Sequence, residues 1–231
     1  MVISSAPLVS WEKALPNPGI VIILGHRGQG KSALAWWLLE NVHKRRSLKA
    51  VVVGMPRSKR GLVPDWVEHT ENIGKLPEGA VVLLDEAALR FSARRSQTDT
   101  NLAVAGLVAL SRQRKQVIIL VCHTARMLDV ELIFDSDLVV YKMPSMAHVR
   151  FERKETASFT QKAREALLKV DNPKKWAYVI DFHGGREGLL KNGMPSFWSE
   201  NLSNVYAGLD VAKLVATPNG RAETLFKGVS R

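Results

Sequence analysis

Apolar residues recur along this chain in short β-rich runs separated by stretches with helical spacing. Five runs read as buried strands: Ile20–Leu24, Ala50–Gly54, Ala80–Leu84, Val117–Val121 and Leu138–Lys142. Helices are predicted over Lys31–His43, roughly Asn101–Arg114, and Ala157–Lys169. The last is expected to begin at an N-cap on Thr156 or Ser158 and to stop before Asp171-Asn172-Pro173. Strands alternating with helices predict an α/β fold, a mainly parallel sheet with crossover helices on its faces. Val149–Arg153 and Trp176–Phe182 read as further strands. After His183-Gly184-Gly185 the pattern loses regularity. A helix is expected within Ser196–Val215, and Thr217–Arg231 reads as a tail. The expected division is one domain over residues 1–185 and a C-terminal extension over 186–231. No internal repeat or low-complexity segment interrupts the pattern.

The junction between the first strand and the first long helix carries chemistry. Gly25-His26-Arg27-Gly28-Gln29-Gly30-Lys31-Ser32 is a complete G-x-x-x-x-G-K-S sequence, followed by Ala33. Such a loop wraps backbone N–H groups around nucleotide phosphates at a helix N-terminus, where the helix dipole favours negative charge. Residues 25–33 are therefore the candidate ATP contacts. Lys31 would reach the β- and γ-phosphates, and the Ser32 hydroxyl would ligate Mg2+. An ordinary glycine turn would account for Gly25 or Gly30 but not for the Lys-Ser pair.

Composition narrows the partners. The 231 residues carry a net charge of +11, with a pI near 9.9, which points to a polyanion such as nucleic acid. Between Asn41 and Pro64 stand Lys44, Arg45, Arg46, Lys49, Arg57, Lys59 and Arg60, with no acid. Of these, Arg57, Lys59 and Arg60 are candidate DNA contacts. The competing reading is a solvated basic surface. A lone cysteine, Cys122, excludes a disulfide framework and fits a reducing compartment. The N-terminal residues lack the pattern of a secretory signal, and the apolar runs are too short to span a bilayer. A soluble, cytoplasmic protein is expected.

Three further segments complete an ATPase pattern. Ala80–Leu84 ends in Asp85-Glu86. Asp85 would hold Mg2+ and Glu86 would act as general base on the attacking water. Two acids after a strand also suit a helix start on dipole grounds. Val117–Val121 ends in Cys122-His123-Thr124. His123, with Thr124 in reserve, is the candidate sensor of the γ-phosphate; the competing role is a strand-end residue satisfied by backbone. Ser111-Arg112-Gln113-Arg114-Lys115 closes the preceding helix. Arg112, and after it Arg114, is either an arginine finger for a neighbouring subunit's nucleotide or a helix C-cap. Leu89–Asp99 is a basic loop in which Arg94 and Arg95 are candidate DNA contacts, unless it is a plain surface loop.

Together GHRGQGKS, VVLLDEAALRFSARR, LSRQRKQVIILVCHTARMLD and DSDLVVYKMP resemble the FtsK–HerA superfamily of P-loop ATPases. The narrower resemblance is to the genome-packaging ATPases of membrane-containing icosahedral viruses and the related Zot-type phage assembly ATPases. The match covers roughly residues 19–145. It implies a RecA-like P-loop NTPase fold in which the strand ending at His123 lies between the two motif strands. It also implies catalytic roles for Lys31, Glu86, Arg112 and His123. The sensor is often Gln in this superfamily, so His123 is a departure. Zot-type proteins usually carry a transmembrane helix after the ATPase domain, and no such segment is present here.

The resemblance implies a double-stranded DNA packaging motor working as a ring of identical subunits, a hexamer, in the host cytoplasm beside a capsid or portal vertex. A Zot-like assembly or extrusion ATPase is the alternative. A P-loop kinase is a third reading, opposed by Glu86 beside Asp85 and by the charge excess. A guanine-specific N-K-x-D motif is not present.

Overall fold

The computed structural model describes Leu8, residues 10–85 and residues 106–205. The strands are β1 (Gly19–Leu24), β2 (Lys49–Val53), β3 (Val67–Thr70), β4 (Ala80–Leu84), β5 (Val117–Val121), β6 (Leu138–Tyr141), β7 (Trp176–Asp181) and β8 (Arg186–Lys191). The helices are α1 (Trp11–Ala14), α2 (Lys31–Arg46), α3 (Val130–Phe134), α4 (Met146–Phe151), α5 (Lys154–Leu168) and α6 (Glu200–Ser203). Residues 106–111 are also helical and lead into β5.

All eight strands join one sheet in the order β3-β2-β4-β5-β1-β6-β7-β8. The first six in that order are parallel. β7 and β8 add an antiparallel hairpin beside β6. As expected, β5 lies between β1 and β4, the strands that end in the phosphate-loop and Asp85 motifs.

The sheet is sandwiched between helical layers, which explains why its central strands read as continuous apolar runs. β1, β4, β5 and β6 are buried along their whole length. Val21 and Ile23 pack on one side with Leu34, Leu38 and Leu39 of α2. Ile20, Ile22 and Leu24 pack on the other with Ala163 and Leu167 of α5. Each such side chain contributes about 1.5–3 kcal/mol by leaving water.

Several elements differ from the sequence expectation. Val149–Arg153, read as a strand, lies mostly in α4. Ser145 caps that helix, its Oγ accepting from the His148 N–H at 3.2 Å. Local capping here overrides the alternation of Val149 and Phe151. α5 starts three residues earlier than expected, with Arg153 as its N-cap, and Thr156 is buried inside it. The helix before β5 ends at residue 111, and Lys115 takes a positive φ of 52° before the strand. β3 and β8 were not anticipated. Both are sheet edges with few buried positions, so neither has an apolar run to announce it.

Residues 186–205, expected to open a C-terminal extension, supply β8 and part of one core. Buried Glu40 of α2 accepts from Lys44 Nζ at 2.6 Å, from the Ser196 N–H at 2.9 Å and from the Ser196 hydroxyl. The Phe197 ring meets the edges or faces of Trp36 and Trp66, each at 5.7 Å between centroids. Among the described residues, no helix is long and apolar enough to cross a membrane.

Candidate nucleotide site

The carboxyl ends of the parallel strands gather the candidate residues at one end of the sheet. β1 runs into the loop of residues 25–30, which is tied to both neighbouring strands. The Gly25 N–H donates to His123 O at 3.2 Å, beyond β5, and the His26 N–H donates to Met143 O at 3.1 Å, beyond β6. Gly28 and Gly30 have φ of +75° and +83°, a backbone conformation that costs other residues energy. Among the described residues, nothing lies within 4 Å of where a Gly28 side chain would begin. Gly30 is the N-cap of α2 and brings no side chain to its first turn. The loop thus leaves a space walled by backbone at a helix N-terminus, which suits phosphate oxygens.

Two side-chain pairs define the chemistry. Lys31 is buried, and its Nζ donates to His26 O at 3.1 Å and contacts His123 Nδ1 at 2.9 Å. An ammonium group can only donate, so His123 accepts at Nδ1 and its remaining proton sits on Nε2. The Ser32 hydroxyl donates to Asp85 Oδ2 at 3.0 Å. A hydroxyl and a carboxylate oxygen so close are a hard donor pair of the kind Mg2+ prefers. The residues expected to hold ATP phosphates and Mg2+ therefore fit those groups.

This fold recurs in solved structures. Similar in fold is the genome packaging NTPase B204 from Sulfolobus turreted icosahedral virus 2, solved with AMP (TM-score 0.56, 13% identity, 78% of this chain and 100% of that chain). Its complex with AMPPCP gives a TM-score of 0.56 at 13% identity, over 77% of this chain and 98% of that one. B204 from Sulfolobus turreted icosahedral virus, a DNA-packaging ATPase, matches with TM-score 0.55 and 15% identity over 77% and 100% of the two chains. The chain has a P-loop NTPase fold. No protein-family model and no curated protein matches its sequence.

Other candidates fall elsewhere. Glu86, Arg94 and Arg95 lie outside the described residues. Arg112 sits beyond the amino end of β5, at the opposite end of the sheet from the phosphate loop. The six residues of β1 alone separate these ends by about 20 Å. Its guanidinium is exposed and contacts Asp137 Oδ1 at 3.4 Å and His183 Nε2 at 3.3 Å. Asp137 is itself anchored, its Oδ2 accepting from the Ile20 N–H at 2.7 Å. Arg114 donates to Leu76 O and so holds the turn before β4. Within one chain, Arg112 and Lys31 do not meet.

The basic run of residues 41–64 does not form one surface. Lys44 pairs with Glu40, Arg45 with Glu12 at 3.2 Å, and Arg46 donates to Leu15 O at 3.0 Å and to Pro16 O, all near the carboxyl end of α2. Arg57, Lys59 and Arg60 belong to the helical turn Arg57–Leu62 after β2, on the phosphate-loop end. Arg57 pairs with Glu71 at 2.9 Å across exposed surface. Arg60 Nε and His69 Nδ1 are buried there, with no hydrogen-bond partner among the described residues. Burial, together with Arg60, lowers the pKa of His69.

Two residues that the sequence did not single out support the loop. Lys142 follows β6 and is fully buried. Its Nζ donates to Lys174 O at 2.7 Å, Trp176 O at 2.6 Å and Asn192 Oδ1 at 2.8 Å, joining β6 to the β7–β8 hairpin just below Gly30. Burial pushes its pKa down to about 7. The other is His148, whose ring meets that of His26 edge-on at 5.6 Å. Lys142 falls within the DSDLVVYKMP segment, but neither it nor His148 was assigned a role there; the adjacency of β6 to β1 brings both here.

Proposed function

We propose that this chain is an ATP-hydrolysing motor that moves double-stranded DNA, packaging it into a viral capsid as a ring of identical subunits, a hexamer. The observation that carries this reading is the paired geometry at the phosphate loop: Lys31 against His123, and Ser32 against Asp85, on a sheet with β5 between the two motif strands. The fold shared with viral packaging NTPases and the net charge of +11 also support it.

In this reading Lys31 and the amides of residues 28–33 bind the nucleotide's phosphates and orient the terminal one. Ser32 and Asp85 would hold Mg2+, which supplies charge neutralisation at the phosphates when bound. Glu86, next to Asp85, takes a proton from the attacking water. His123, protonated at Nε2, donates toward the terminal phosphate or that water. Arg112, remote from its own chain's loop, acts at the nucleotide of a neighbour. Lys59 and Arg60, with Arg94 and Arg95, grip DNA phosphates without reading sequence. Capsid or portal proteins are the partners at the packaging vertex, in the host cytoplasm.

The test is ATP hydrolysis with and without double-stranded DNA across a salt series, with Glu86→Gln as the inactive control. DNA stimulation that fades with salt and vanishes in the variant is the expected result. Hydrolysis indifferent to DNA would replace the motor with an assembly ATPase. Phosphate transfer to a small acceptor, without hydrolysis, would replace both with a kinase.

A further inference from the structure

The loop of residues 25–30 has an imidazole on each side. On the β5 side, His123 contacts Lys31 Nζ at 2.9 Å. On the β6 side, the chain turns into α4, whose cap at Ser145 fixes His148 in the first turn. The His148 ring stands edge-on to the ring of His26, the second residue of the loop, at 5.6 Å and 66°. It is half-buried, and the charges that act on it are those of His26, Glu152, Lys31 and His123. Three of those four groups belong to the phosphate site. Lys31 and His123 are also the two side chains aimed at the terminal phosphates in the reading above.

We infer that His148 is a nucleotide-contacting residue: it closes the phosphate site on the β6 side and, with His26, recognises the terminal phosphate of a nucleoside triphosphate. The inference rests on the nucleotide-binding reading of the loop. Burial and the neighbouring His26 lower the pKa of His148, against the opposing pull of Glu152. The shift favours the neutral ring, which offers one N–H donor and one lone pair. A donor that feels the charge of the Lys31 ammonium favours an anion over a cation in the same field. Lys31 and His123, whose charges reach His148, are the side chains assigned above to the terminal phosphate, so a diphosphate occupies the loop without the group that His148 would meet. Recognition by His148 is accordingly specific to the triphosphate.

The test compares binding of AMPPCP and ADP, in the presence of Mg2+, by the full chain and by three variants. His148→Phe keeps the edge contact with His26 but has no N–H; His148→Gln keeps a donor; Lys31→Ala tests the site itself. His148→Phe should weaken AMPPCP binding by about tenfold or more and leave ADP binding within about twofold. His148→Gln should recover much of the loss. Equal weakening of both ligands, or none, overturns the inference while leaving the nucleotide site intact, provided Lys31→Ala abolishes binding. If the unaltered chain binds neither ligand, the inference and the reading beneath it both fall.

Discussion

Replacing Lys142 by methionine removes an ammonium group buried under the phosphate loop and keeps most of the side chain's volume. Burial moves the lysine's pKa from 10.5 to about 7 in the folded protein, a difference worth about 5 kcal/mol between its two protonation states. The unfolded chain keeps the ordinary value. Between about pH 7 and 10.5 the unfolded state therefore holds a proton that the folded state does not. Stability from this group rises with pH through that window, and its cost is fully present below about pH 7. The variant has no such group. Wild-type stability minus variant stability should climb with pH by up to about 1.4 kcal/mol per pH unit between pH 8 and 9.5.

The absolute difference at any single pH decides little. The variant leaves Lys174 O, Trp176 O and Asn192 Oδ1 without their shared donor, at about 1–3 kcal/mol for each buried acceptor. It also sheds the cost of burying a cation, which offsets much of that loss. The slope separates the two effects, because other titrating lysines and tyrosines are common to both proteins. Urea unfolding followed by tryptophan fluorescence at intervals from pH 6.5 to 9.5 measures it. A difference that stays constant with pH would mean that the three acceptors keep the ammonium charged, and the argument from burial would be refuted.

Lys31→Ala should lower ATP affinity by about a hundredfold or more, measured by equilibrium binding, because the variant loses the charge held between His26 O and His123. Arg112→Ala should cost less than about 1 kcal/mol of stability, since its ion pair is exposed, yet should abolish DNA-stimulated hydrolysis. Mixing it with Lys31→Ala should restore part of the activity if Arg112 acts on a neighbour; no restoration would count against the ring. Asp137→Ala should destabilise the fold by about 1–3 kcal/mol in urea unfolding, because the Ile20 N–H loses its acceptor at the entrance to β1. The double variant Lys59→Ala, Arg60→Ala should weaken DNA binding and reduce the salt slope by about 1–2, with no dependence on DNA sequence.

The central strands were legible because each is buried on both faces and so must be apolar throughout. β1, β4 and β5 match the expected runs to within a residue. Legibility fails where one face or one edge meets water. Val67–Thr70 buries one residue of four, and Arg186–Lys191 only Leu190, so neither carries the signal of a strand. α4 fails for a different reason. Its six residues are too few for a helical period to emerge, and one serine hydroxyl decides the local conformation.

The same distinction governs the site. Gly25 to Ser32, Asp85 and His123 were visible because each stands at the end of an apolar strand, and the strand itself points them to the same end of the sheet. The pairing of Lys31 with His123 needs more: β5 must lie next to β1, although more than ninety residues separate them in sequence. Parallel crossovers of similar length can order the same strands in several ways, so pattern alone does not choose among them; the motif resemblance supplied the β5 neighbour. The opposite neighbour, β6, lies in the DSDLVVYKMP segment, but that resemblance gave it no place in the strand order. Lys142 and His148 follow from that adjacency alone. A lysine in an apolar strand end and a histidine in a short helix come to lie beside the glycine-rich loop only once β6 lies beside β1. Arg112 shows the converse. It was expected in the last turn of the preceding helix but follows that helix's end, and a strand about 16 Å long separates it from its own chain's loop at the far end of the sheet. The proposed finger role of Arg112 must then be played across a subunit boundary, so that proposal stands or falls with the proposed ring.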